Sequence, residues 1–159
     1  MLPDPAPVLA SAEAFQRLLA DPRSTHAELL SARATAPVWQ EVLARFPHSA
    51  VWVAANRALP LEIVEHLASH PSLPVRAALA TSGRVPEAVM MQLAHDKSEL
   101  IRLRVVCNAL VSRGVLAALT NDPCRLVAAH AQARLVHDIS GVALPPSYLD
   151  EVEVLALLH

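Results

Sequence analysis

Apolar residues recur three and four positions apart along most of this chain: Ile63, Val64 and Leu67, then Val89, Met90 and Leu93. A second series runs Val75, Ala78, Leu79, then Ile101, Val105, Ala109. This is the period of an amphipathic helix, in runs of roughly ten residues. Pro37, Pro60 and Pro86 open the first kind of run, where a proline's missing donor would be unpaired anyway. Glu62 and Glu87 follow in the first turn, where the helix dipole favours acids. The second kind of run reads "PVRAALATS" and "LIRLRVVCNAL". A helix of about ten residues does not hold alone in water, so each must bury its stripe against neighbours.

The pattern repeats as a unit. A Leu-Ala element recurs at Leu19-Ala20, Leu43-Ala44, Leu67-Ala68 and Leu93-Ala94, and as Leu119-Thr120, at intervals of 24, 24, 26 and 26 residues. A turn signal follows each: Asp21-Pro22, Phe46-Pro47, His70-Pro71, Asp96-Lys97, Asp122-Pro123. Four residues beyond the last four turns stands a β-branched residue, Val51, Val75, Ile101 or Val127. Each unit therefore reads as two short helices, and stacking units side by side gives them one continuous core. Leu67, Leu93 and Leu119 are expected to be equivalent buried positions.

Composition agrees. Hydrophobic residues make up 53% of the 159, aromatics only 3%, and there are three glycines, all expected in turns. A core of Ala, Leu and Val favours helices over sheets, and the length suits one domain. The expected organisation is a flexible proline-rich start over residues 1–10, a helical repeat domain over 11–145, and a C-terminal capping helix over 146–159. In that last segment Pro145-Pro146, a Ser147 cap and the acids Asp150 and Glu151 precede an apolar run; a dimerisation helix is the rival reading.

The stretch "VRAALATSGRVPEAVMMQLAHDKSELIRLRVVCN" resembles units of the leucine-rich repeat variant family and, more widely, HEAT-like helical repeats. The matching positions are Val75, Arg76, Ala80, Pro86, Leu93, Ala94 and Asp96, then Ile101, Arg102, Asn108, Leu119 and Asp122, with Asn56 and Pro60 before them. The resemblance covers about residues 36 to 135. It implies an all-α, right-handed α-solenoid, here of about five two-helix repeats of 24–26 residues with the capping helix. Some family members carry an iron–sulfur cluster on N-terminal cysteines. The first cysteine here is Cys107, so no cofactor is expected.

The net charge is −2, yet from Arg57 to Arg134 eight arginines and Lys97 face six acids. In HEAT-like repeats Asp96 and Arg102 would form an Asp–Arg ladder, read here as an ion pair clamping one turn. His70 and Arg76, Phe46 and Trp52, and Asp122 and Ala128 hold the same slots, so three of four rungs read as broken. His66 and His70 lie one helical turn apart, without the third ligand a metal site needs nearby, and no metal is expected. Cys107 and Cys124 read as buried small hydrophobes. No phosphate-loop, dinucleotide or nucleophile-elbow motif is present. The expectation is a non-enzyme. With no leader and no run of about eighteen apolar residues, the chain reads as cytoplasmic, without membrane contact, and as a monomer or weak dimer.

Of the two tryptophans, Trp39 and Trp52, one suits the core and the other a binding surface. In solenoids that this chain resembles, the second helices line the concave face. The side opposite their apolar stripes holds Trp52, Asn56, Arg76, Arg104 and Asn108, the expected contacts for a protein partner. The function expected is an adaptor, regulator or inhibitor that binds another protein there. The alternative is a nucleic-acid-contacting solenoid using Arg76, Arg102, Arg104 and Arg134. The overall charge and the scarcity of lysines and aromatics argue against it.

Overall fold

Helix boundaries follow the local chemistry of the chain. The computed structural model describes residues 6–140. In order these form α1 (Ala12–Ala20), α2 (His26–Ser31), α3 (Ala36–Arg45), α4 (Ala50–Ala55), α5 (Leu61–Ala68), α6 (Leu73–Thr81), α7 (Glu87–Ala94), α8 (Glu99–Cys107), α9 (Arg113–Leu119) and α10 (Arg125–Ser140). Ser11 caps α1 by accepting from the Ala14 N–H, and Thr25 with Glu28 forms a reciprocal capping box on α2. Ser112 caps α9 through the Val115 N–H. Pro37 lies in the first turn of α3, whereas Pro60 and Pro86 stand just outside α5 and α7 as their N-caps.

The fold is all-helical over the described residues; the one β-type contact is an isolated parallel bridge between Val8 and Arg33. Two rows of helices pack in chain order. In the first, α1 touches α3, α3 touches α5, α5 touches α7 and α7 touches α9; in the second, α2, α4, α6, α8 and α10 touch in succession. Partners α3 and α4, α5 and α6, α7 and α8, and α9 and α10 cross between the rows. The shared core runs from Leu9 to Ala131.

Leu67, Leu93 and Leu119 are 0%, 1% and 2% exposed, as their common register requires. Leu19 and Leu43 are only half-buried, because in the first two units the core position passes to Phe15, Trp39 and Val42. Phe15 and Trp39 meet edge to face at 5.1 Å, bringing large rings where later units stack Leu and Val. Ala109, expected in the stripe of its helix, lies past the end of α8 and is exposed.

Two further features differ from expectation. The N-terminal stretch is tied down by residue 7: the Leu9 N–H donates to the Arg33 carbonyl at 2.7 Å and the Arg33 N–H to the Pro7 carbonyl at 2.8 Å, and Leu9 is buried. Gly114 belongs to α9 and not to a turn; a Cβ there would come 3.1 Å from Glu87 Oε1. The expected capping helix, residues 146–159, lies outside the described residues.

Candidate binding face

The joints between units explain several residues at once. Arg76 and Arg102, both near the start of second-row helices, reach forward to the next unit's turn. Arg76 Nε donates to Asp96 Oδ2 at 2.6 Å and its Nη2 to Asp96 Oδ1 at 3.2 Å. Arg102 repeats this on Asp122, at 2.7 and 3.0 Å. The remaining Nη1 atoms donate to turn carbonyls: His70 and Pro71 for Arg76, Asp96 for Arg102. Each carboxylate also accepts the N–H two residues on, Ser98 or Cys124, at 2.8 Å.

The ladder therefore links successive units; the expected clamp between the Asp96 and Arg102 side chains within one turn does not form. Burial pushes the Asp96 carboxyl up, but hydrogen bonds from Arg76 and Ser98 outweigh it and hold it below the usual range. For Asp122 the Arg102 hydrogen bonds dominate and lower it.

Asn56 and Asn108 form a second set of joints. Asn56 Nδ2 donates to the Leu29 and Ala32 carbonyls, both at 2.9 Å, and its Oδ1 accepts from Ala58. Asn108 does the same to Ala80 and Ser82, at 2.8 and 3.0 Å, and accepts from Leu110. Arg134, 26 residues later, reaches back to the Val106 and Asn108 carbonyls, both at 2.6 Å. Each ties the exposed carbonyl end of one second-row helix to its successor.

These bonds correct the expected binding set. Arg76, Asn56 and Asn108 are 5%, 3% and 7% exposed, so they do not lie on the open side. The register error has a physical origin. Asn56 and Asn108 make matching bonds 52 residues apart, two steps of 26. Counting back 26 from Arg76 reaches the buried Ala50, and from Val75 the buried Ser49. Trp52 thus falls in the row of Ala78, Arg104 and His130, not that of Arg76 and Arg102.

The open side of the second row follows from this register. On each helix it consists of positions i, i+4 and i+7, which share one face. These are His48, Trp52 and Ala55 around α4; Pro74, Ala78 and Thr81 on α6; Leu100, Arg104 and Cys107 on α8; Leu126, His130 and Ala133 on α10. All are exposed or half-buried. Trp52, 37% exposed, stands edge to face against His26 at 5.7 Å. Leu100 and Leu126, at 48% and 54%, extend the apolar part. Both were absent from the expected set; their signal was a leucine repeated at one slot on the polar side of its helix.

Cys107 and Cys124 are free and half-buried, not fully buried as expected. His70 Nδ1 accepts the Ser72 N–H at 3.1 Å, and no group of three metal-binding side chains occurs among the described residues. Nor is any helix among them long and apolar enough to cross a membrane. No family model, curated protein or solved structure matches the chain.

Proposed function

We propose that this chain is a right-handed α-solenoid of about five two-helix repeats, akin to the leucine-rich repeat variant and HEAT-like proteins, and that it binds another protein through the open side of its second helices. It acts as adaptor, regulator or inhibitor and not as an enzyme, in the cytoplasm, as a monomer or weak dimer. One observation carries the binding reading: Trp52, Leu100 and Leu126 stay exposed on one face, among small residues and the longer His48, Arg104 and His130. Large apolar side chains kept in water are unfavourable for the free chain, and aromatic and arginine side chains dominate binding energies. The nucleic-acid alternative is weakened because Arg76, Arg102 and Arg134 spend their donors on neighbouring units.

The test pairs Trp52→Ala with Arg104→Glu. Protein captured from native extract by the wild-type chain should be lost with the double variant, by tenfold or more if either residue is an anchor. Trp52 is only 37% exposed and packs on His26, so some thermal stability should be lost while helicity and cooperative unfolding are retained. A variant that stays folded and captures the same protein equally well places the binding surface elsewhere.

A further inference from the structure

The loops that lead out of the second-row helices form an edge of their own. Just past the ends of α2, α4 and α6 stand Arg33, Arg57 and Arg84, all exposed. Their guanidiniums have no ion pair or hydrogen-bond partner among the described residues, unlike Arg76, Arg102 and Arg134. Because α2, α4 and α6 pack in succession, the three arginines follow one another along one edge, one per unit. Arg84's own loop and the loop after α8 enclose a hollow lined about equally by apolar side chains, Val85, Met90 and Leu110 among them, and by polar ones, Glu87, Asn108 and Ser112. The exposed Leu110 lies over its rim, where a Cβ on Gly83 would come 3.3 Å from Leu110 Cδ1.

We propose that this edge binds an extended acidic segment of another protein, with one carboxylate on each guanidinium and an apolar side chain in the hollow. Guanidiniums pair bidentately with carboxylates, and three left in water along a line are complementary to carboxylates in a line. Spacing selects the conformation. Packed helices lie about 8–10 Å apart, and a polyproline-type strand, rising about 3.1 Å per residue with three residues per turn, presents every third side chain on one face at roughly that interval. Duplex DNA fits poorly, because it carries a charge about every 1.7 Å of axis, far denser than one guanidinium per unit. Trp52 and Arg104 belong to the bodies of α4 and α8 and not to these loops.

The probe is a fluorescent peptide of three Glu-Pro-Pro triplets ending in leucine, read by anisotropy at low and moderate salt. The wild-type chain should bind it, more weakly as salt rises, and should not bind the same peptide with Gln for Glu. Arg33→Glu, Arg57→Glu and Arg84→Glu together should weaken binding by tenfold or more with helicity retained. If that triple variant fails to fold, Arg57→Gln alone decides, with about a two- to fivefold loss expected. Trp52→Ala with Arg104→Glu should leave this binding unchanged. The proposal is overturned if the Glu peptide does not bind at low salt, if the arginine variants bind it as the wild type does, or if a duplex of equal charge binds more tightly and is lost with the same arginines.

Discussion

Arg76 shows why a charged residue can look like a surface contact and be a joint instead. Its guanidinium donates to one carboxylate and two carbonyls, and both members of the Arg76–Asp96 pair are under a tenth exposed. Arg76→Ala would strand the Asp96 carboxylate in a desolvated turn, at a cost of about 3 to 5 kcal/mol by urea denaturation; a loss below about 1 kcal/mol would show the pair to be solvated and weak. His70 holds the aspartate slot one unit earlier, and the position twenty residues before it is Ala50 rather than arginine. The imidazole keeps only the local part of the job, accepting the Ser72 N–H. Burial, then His66, then Arg76 push its pKa down. The unfolded chain therefore takes up this proton near the ordinary value of about 6.5 while the folded chain resists it. Stability from this group is complete above that value and declines as pH falls from it toward the lower folded value. His70→Asn, which keeps an acceptor, should lose less stability than wild type between pH 7.5 and 5.5, the two pH values chosen to bracket the ordinary imidazole pKa of about 6.5. An equal loss in both would sink this account. The depressed carboxyls of Asp96 and Asp122 act lower, their contribution being present above about pH 4 and lost as pH falls through their folded values.

At the scale of the helix, periodicity carried most of the information, and it failed where core side chains change size. In α5 and α7 the repeated Leu-Ala element is the core itself, since Leu67, Ala68, Leu93 and Ala94 are all buried. In α3 the same letters are displaced: Val42 is 0% exposed, Leu43 half-buried and Ala44 exposed. Trp39, three residues before Val42, holds the place that Val64, Met90 and Leu116 hold before Leu67, Leu93 and Leu119, and its ring sits against Phe15. The 24-residue spacing between Leu43 and Leu67 thus counted letters that are not equivalent, and the same miscount put Trp52 in the arginine slot. The ladder was half legible: its residues stood out, but the partner of each aspartate lies twenty positions back, a distance fixed by packing between helices and invisible to local spacing. Buried Asn56 and Asn108 were misread for a related reason, as a polar residue at a helix end serves water and a neighbouring carbonyl equally well by pattern. The register is testable by substitution. Val42→Ala should cost about 1 to 3 kcal/mol, more than Leu43→Ala despite the smaller deletion; the reverse order would restore the Leu-Ala register to α3.

Across the whole molecule, a 26-residue period shared by the Arg76 and Arg102 joints and by the Asn108 and Arg134 joints implies that units are interchangeable. Deleting residues 77–102 joins Arg76 to Leu103 inside a helix of unchanged length, and Arg76 then stands where Arg102 stood, facing Asp122. Asn108 would meet the Ala54 and Asn56 carbonyls in place of Ala80 and Ser82, the same 26 residues earlier. The fused helix keeps its buried stripe in phase, so nearest-neighbour contacts are remade and only one unit's share of stability is lost. Deleting 77–100 instead brings in two extra residues, which rotate the following stripe by about 200° relative to the core. The 26-residue deletion should therefore remain helical and unfold cooperatively, at a lower denaturant midpoint and with a smaller slope because less surface is exposed. The 24-residue deletion should lose its cooperative transition. Circular dichroism through a urea titration reads both, and if the two deletions unfold alike, the joints are not what sets the register and the units do not stack as equivalent repeats.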